Sequence, residues 1–120
     1  ACASSPPTRF YALAAPGPAP GTRTLDGPWV TVGPVTVPEA VDRPQLVTRR
    51  AVNEVRIDEF ARWAAPLRGE IARVLAEQLA AQRVDARLVA APAGPAAPDY
   101  RIGLDVRRFD LVPGEGATLD

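Results

Sequence analysis

Apolar positions along this chain recur with two periods. Phe60, Trp63, Leu67, Ile71, Val74, Leu75 and Leu79 are spaced three and four apart, the stripe of an amphipathic helix. Asp58 stands where the stripe begins, and a carboxylate there predicts an N-cap. Pro66 lacks an N–H, so it predicts a kink dividing a short first turn from a main helix over residues 66–82. Phe60 and Trp63 are read as core, because aromatic rings on an apolar stripe are more often buried than free to bind lipid. Glu70, Arg73 and Glu77 form three- and four-residue ion pairs and mark a solvated face.

Elsewhere the period is two, the signature of strands. Thr8 to Leu13 is a short first strand, and the Pro/Gly-dense run Ala15 to Gly21 is a loop. Trp29 to Val32 alternates, Gly33-Pro34 interrupts, and Val35 to Val37 resumes in the opposite phase, which predicts a bulge or bend. Gln45 to Arg50 and Glu54 to Ile57 form a hairpin around Ala51-Val52-Asn53, its arginines pointing outward. Val84 to Val89 is a further strand, followed by an Ala/Pro/Gly loop from Ala90 to Pro98. Tyr100, Ile102, Leu104 and Val106 alternate, Arg107-Arg108 shifts the phase, and Phe109 and Leu111 continue, so one long strand with a bulge is expected. After the turn Pro113 to Gly116, Ala117 to Asp120 begins a returning strand too short to cover that partner. The mismatch predicts a C-terminal truncation, or a remaining length that lies outside this chain. Together the elements predict an α+β fold, a single domain with a mixed or antiparallel sheet packed against one long amphipathic helix.

Composition narrows the chemistry. The 14 Asp and Glu offset 14 basic residues, so no net field draws the chain to nucleic acid. Every basic residue is arginine, and His and Met are absent. Without lysine there is no Schiff-base nucleophile and no phosphate-loop lysine; without histidine there is no imidazole base and no His-containing zinc site. Ser4 and Ser5, the only serines, lie in a polar stretch where no fixed base activates them. The carboxylate pair Asp58-Glu59 is a formal acid–base candidate, but Asp58 reads as a cap and the other acids are scattered among arginines. No calcium-loop motif occurs. We therefore expect no catalytic residues, no metal, no cofactor and no enzyme activity.

A lone cysteine cannot form an internal disulfide, so its position is the clue. Cys2 follows Ala1 and precedes Ala3-Ser4-Ser5-Pro6-Pro7, with no apolar neighbours at helix or strand spacing to bury a thiol. A free thiol in a flexible tail is one reading. The other is lipidation, because Ala-Cys before a Ser/Pro-rich leader resembles the start of a mature bacterial lipoprotein. On that reading residues 1–7 are a lipidated flexible tether and residues 8–120 a single periplasmic domain. At about 0.8 kcal/mol per buried CH₂, several acyl chains hold a protein to a bilayer almost permanently. No apolar run reaches the ~18 residues that suggest a spanning helix.

Four segments occur in order: Arg9-Phe10-Tyr11-Ala12-Leu13, Val32-Gly33-Pro34-Val35-Thr36-Val37-Pro38-Glu39, Asp42-Arg43-Pro44-Gln45-Leu46-Val47-Thr48-Arg49 and Phe60-Ala61-Arg62-Trp63-Ala64-Ala65-Pro66-Leu67. With Asp99-Tyr100-Arg101-Ile102 and Leu104 to Phe109, the chain resembles the PqiC/YmbA family of auxiliary lipoproteins of MCE-type ABC transport systems. The resemblance spans nearly the whole chain. Family members continue with further strands and a final helix, and commonly carry Glu where Ala65 stands here. It implies a non-catalytic subunit working with an MCE-domain protein, its ABC permease and its ATPase in moving lipids across the Gram-negative envelope, and leaves a homo-oligomer open. Ala3, rather than Asp, after the cysteine implies the periplasmic face of the outer membrane. The exposed segment Asp42, Arg43, Pro44, with Arg49 and Arg50, is the candidate partner surface, although Asp42 can equally cap a turn that Pro44 stiffens. Two functions follow: a docking or channel subunit, or a lipid carrier holding acyl chains between helix and sheet. A carrier needs an apolar cavity of some hundreds of Å³, whereas a docking subunit needs only a packed core.

Overall fold

A computed structural model of the chain describes residues 6–14, 27–82 and 86–120. The strands are β1 (Arg9–Tyr11), β2 (Trp29–Thr36), β3 (Gln45–Ala51), β4 (Glu54–Trp63), β5 (Arg87–Ala90), β6 (Tyr100–Asp105), β7 (Phe109–Val112) and β8 (Gly116–Leu119). A 3-10 turn (Glu39–Val41) precedes β3, and the helix α1 (Leu67–Ala81) follows β4. The fold is mixed α+β, as expected, but among the described residues the strands form three small sheets: β1-β4-β3, β5-β2-β6 and β7-β8. Two compact units divide the chain.

The first unit combines Ala1–Ala12, Val37–Leu67 and Val106–Asp120. In it β3 and β4 form the expected hairpin, antiparallel from Ala51↔Glu54 to Leu46↔Asp58, and β1 lies parallel to β4 with Arg9 opposite Ala61. Sequence expectations fail at two places, the first of them in this unit. β4 runs on to Trp63, so Asp58 caps no helix, and Phe60 and Trp63 belong to a strand. Pro66 explains the boundary: it disfavours helical geometry at Ala65 and ends any helix running through it, so α1 starts immediately after the proline. The segment before it finds other partners, because the Trp63 N–H donates to Pro44 O at 2.8 Å and the Ala64 N–H to Tyr11 O at 2.7 Å. Asp58 instead accepts the Phe60 N–H at 2.9 Å, where the ladder shifts register between Gln45 and Leu46. Trp63 is buried edge-on to Phe109, centroids 6.1 Å apart, while Phe60 is exposed.

The second failure concerns residues 100–112. They form two strands, not one: β6 pairs with β2, and β7 pairs with β8 over four positions from Phe109↔Leu119 to Val112↔Gly116. Arg107-Arg108 marks the break rather than a bulge within a strand. The mismatch with a four-residue partner therefore does not arise.

The second unit combines Leu13–Thr36 and Arg68–Asp105. Its sheet is parallel throughout, with β2 in the middle between β5 (Trp29↔Arg87) and β6 (Val30↔Tyr100). A strand covered on both faces is apolar on both, and Val30, Val32, Val35 and the intervening Thr31 are all buried. Pro34 sits at the expected irregularity between Val32 and Val35, where a missing N–H does least harm. Gly33 at φ +128° is required there, since a Cβ would come within 2.9 Å of the Ala91 Cβ. From α1, Ile71, Ala72 and Ala76 are buried, and burying an Ile side chain contributes about 1.5–3 kcal/mol. Of the strand expected over Val84 to Val89, Arg87–Ala90 is observed; Val84, like the Ala15 to Gly21 loop, lies outside the described residues.

Candidate partner-docking site

Cys2 lies outside the described residues, and the other predicted site residues fall in the first unit. Val41 anchors the 3-10 turn in the core, and Asp42 is its C-cap, with its N–H on Glu39 O at 3.2 Å. The Arg43 N–H donates to Val41 O at 2.9 Å, and Pro44 O receives Trp63. The backbone of this segment is therefore fixed, while the side chains of Asp42, Arg43 and Pro44 are exposed.

Arg49 and Arg50 are neighbours on β3 and point to opposite faces. Arg50 reaches Glu54 at 3.6 Å in solvent. Arg49 lies across from Val55, on the face that carries Val47 and Ile57. Its Nη1 donates to Val52 O at 2.9 Å, bracing the hairpin turn, and its Nε meets Asp110 Oδ1 at 3.1 Å. Arg108 Nε approaches the other oxygen, Oδ2, at 3.3 Å. One carboxylate is thus shared by two guanidiniums. The backbone of the arginine pair is held as well, since the Arg107 and Arg108 N–H groups both donate to Asp120 O, at 2.7 and 3.1 Å.

These groups rim a partly open cavity of about 120 Å³. Val41, Val47 and Phe109 form its buried lining, and Val55, 46% exposed, its outer wall. The sequence singled out Arg49 but missed Arg108 and Asp110. Their signal was present in the doubled arginine between apolar positions, which reads equally as a phase shift.

The second unit holds a different polar cluster. Glu70 was expected on a solvated face, yet it is buried: its Oε2 accepts the Leu13 N–H at 3.0 Å and Arg73 Nη2 at 2.9 Å. Arg73 also donates to Leu13 O and, through Nη1, to Glu77 at 2.9 Å. Hydrogen bonding from Arg73, helped by the Leu13 N–H, holds the Glu70 carboxyl below its ordinary range against the opposing effect of burial. The Glu70 and Glu77 carboxylates raise the Arg73 pKa in turn. This cluster clamps backbone: Arg73 engages both carboxylates and the Leu13 carbonyl, and Glu70 holds the Leu13 N–H. Among the described residues no group of three metal-ligating side chains converges, and no helix is long and apolar enough to cross a membrane.

Residues 11–120 match the family described as ABC-type transport auxiliary lipoprotein component. No protein of curated function matches the sequence. Among solved structures, one titled as an uncharacterized protein aligns with 90% of this chain at TM-score 0.67 and 18% identity. Protein XCC0632 from Xanthomonas campestris, of the DUF330 family, aligns with 93% at TM-score 0.60 and 18% identity. At that identity the likeness is one of fold. The chain spans 63% and 62% of the lengths of those two proteins.

Proposed function

This chain belongs to the ABC-type transport auxiliary lipoprotein family, and we propose that it serves as a non-catalytic docking subunit of an MCE-type lipid transport system in the Gram-negative envelope. Acylated Cys2 holds it at the periplasmic face of the outer membrane, with residues 1–7 as the tether. The docking surface is the segment Asp42, Arg43, Pro44, whose backbone is fixed, together with Arg49 and Arg50, which reach the MCE-domain protein, and through it the permease and ATPase, from the two faces of the outer strand β3.

The observation that supports docking is the segment 42–44, whose backbone is held by hydrogen bonds while its side chains stand exposed; the cavity beside Arg49 is too small for an acyl chain. An acyl-chain carrier needs some hundreds of Å³ of apolar space, and small-molecule pockets span about 300–1,000 Å³. The cavity at Arg49 has about 120 Å³ and a charged rim. Side chains held on a fixed backbone suit recognition of another protein, because little ordering is left to be done on binding.

Site-specific photo-crosslinkers at positions 43 and 50, in a Gram-negative host carrying the transport system, test the docking face. The expected result is capture of the MCE-domain protein from both positions and none from position 115 in the β7–β8 turn. Intact mass tests the tether: the expected acyl mass and membrane association disappear in Cys2→Ser. Capture of no component of the transport system, with the protein acylated and abundant, overturns the docking reading.

A further inference from the structure

The slot beside Arg49 has a size and a charge that select its occupant. A cavity of roughly 150 Å³ lined by apolar side chains accepts a benzene ring, so about 120 Å³ is the scale of one leucine. Its buried apolar lining is Val41, Val47 and Phe109, Arg107 also borders it, and the outer wall continues into the exposed side chains of Val55 and Ile57 on the same strand face. At the rim Arg49 and Arg108 share the single carboxylate of Asp110, which leaves this triad one positive charge in excess. Both guanidiniums are at least a third exposed, at 36% and 58% of the side chain. Ion pairs so exposed are held weakly, so either arginine can turn part of its donor fork to an incoming carboxylate at little cost.

We propose that this slot takes one leucine-sized apolar side chain of a partner polypeptide, flanked by Asp or Glu residues that the Arg49–Arg108 rim engages. The proposal rests on the docking reading and adds the chemistry of the partner. The apolar side chain is the anchor that covers Val55, and the carboxylates give orientation and exclude basic sequences. A leucine of an acidic segment fits both the cavity and the unbalanced charge. A lysine-flanked leucine meets two arginines, and a serine leaves the apolar lining unfilled.

The test uses the full chain carrying Cys2→Ser, so that no acyl group competes, and a fluorescein-labelled capped peptide with a central leucine between glutamates. Fluorescence anisotropy should show saturable binding that falls as salt rises. Binding should weaken about tenfold or more when the peptide's leucine becomes serine or its glutamates become lysines. Arg108→Glu, at an exposed rim position, and Val55→Glu, on the open wall, should each cause a similar loss with an unchanged melting temperature. Equal binding of the serine or lysine peptides, indifference to both substitutions, or no saturable binding at millimolar peptide overturns the proposal. If crosslinks from positions 43 and 50 to the transport partner persist when the peptide fails, docking stands and only the slot assignment falls. Loss of both removes both.

Discussion

The β5-β2-β6 sheet and the region around β3, β4 and β7 dispose of their side chains in opposite ways. In the parallel sheet the middle strand is buried on both faces, and Trp29, Arg87 and Asp99 are tied together at one end of the strands: the Trp29 N–H meets Asp99 at 2.8 Å and the Arg87 guanidinium lies 4.6 Å from the indole centroid. In the antiparallel region Val47 is buried, but Val55 and Ile57 on the same face are 46% and 40% exposed, beside a carboxylate with two arginines on it. A closed apolar layer contributes stability. An apolar face left half open beside unbalanced charge contributes little to folding and suits binding. The difference teaches where to look for function in a chain without nucleophiles: at the face whose side chains are least well used by the fold.

The largest expected effect tests that contrast directly. Val32 is fully buried, so Val32→Ala removes two methyl groups and leaves a cavity, at about 2–3 kcal/mol of stability. Val55→Ala removes the same groups from an open face and should cost about 0.5 kcal/mol or less. Urea unfolding of both variants measures the gap, and equal losses would mean that the Val55 face is as closed as the sheet interior.

Next in size is the Glu70 clamp of the second unit, where a buried carboxylate holds backbone and guanidinium together. Glu70→Gln keeps a hydrogen-bond acceptor for Leu13 but loses the charge that engages Arg73 and that favours the first turn of α1. A loss of about 1–2 kcal/mol is expected at pH 7. Because the folded-state pKa of Glu70 is lowered, its contribution is complete above the unfolded-state value near 4.5 and disappears as pH falls through the folded value. Wild type and Glu70→Gln should therefore converge in stability in acid. A constant difference down to strongly acidic pH would show that the charge is not the cause.

Much of this was legible in the chain itself. The hairpin around Val52, the irregularity at Gly33-Pro34 and the main helix after Pro66 each rest on a local signal, a turn or a proline, that tertiary packing did not override. Residues 58–63 were not legible, because Phe60, Trp63 and Leu67 fit helical spacing as well as they fit a strand leading into a helix. Only the pairing of β4 with β1 and the hydrogen bond to Pro44 decides between them. Glu70 was misplaced for a similar reason: i,i+3 spacing predicts its ion pair with Arg73 but not that Leu13, 57 residues earlier, would bring its backbone onto the same carboxylate. At the candidate site Arg49 could be chosen as an arginine on a strand. Arg108 and Asp110 acquire meaning only when β7 brings them beside β3, and that long-range approach has no sequence period.

The smallest expected effect probes the one flaw in the closed sheet. Thr31 is buried in the middle of β2, and its hydroxyl oxygen has no hydrogen-bond partner, alone in this among the buried side-chain polar atoms of the described residues. The loop after β5 closes tightly over it: a Cβ at Gly94, where φ is +96°, would stand 2.5 Å from the Val89 Cγ2 and 3.8 Å from the Thr31 oxygen. An unpaired buried hydroxyl carries a desolvation cost that a methyl group of nearly the same shape does not. Thr31→Val should accordingly be neutral or stabilising by up to about 1 kcal/mol, a rise of a few degrees in melting temperature for a chain of this length. A clear loss of stability would mean that the hydroxyl is satisfied by a bound water, and the parallel sheet would then be better matched in its polar groups than the contrast with the β3–β4 face requires.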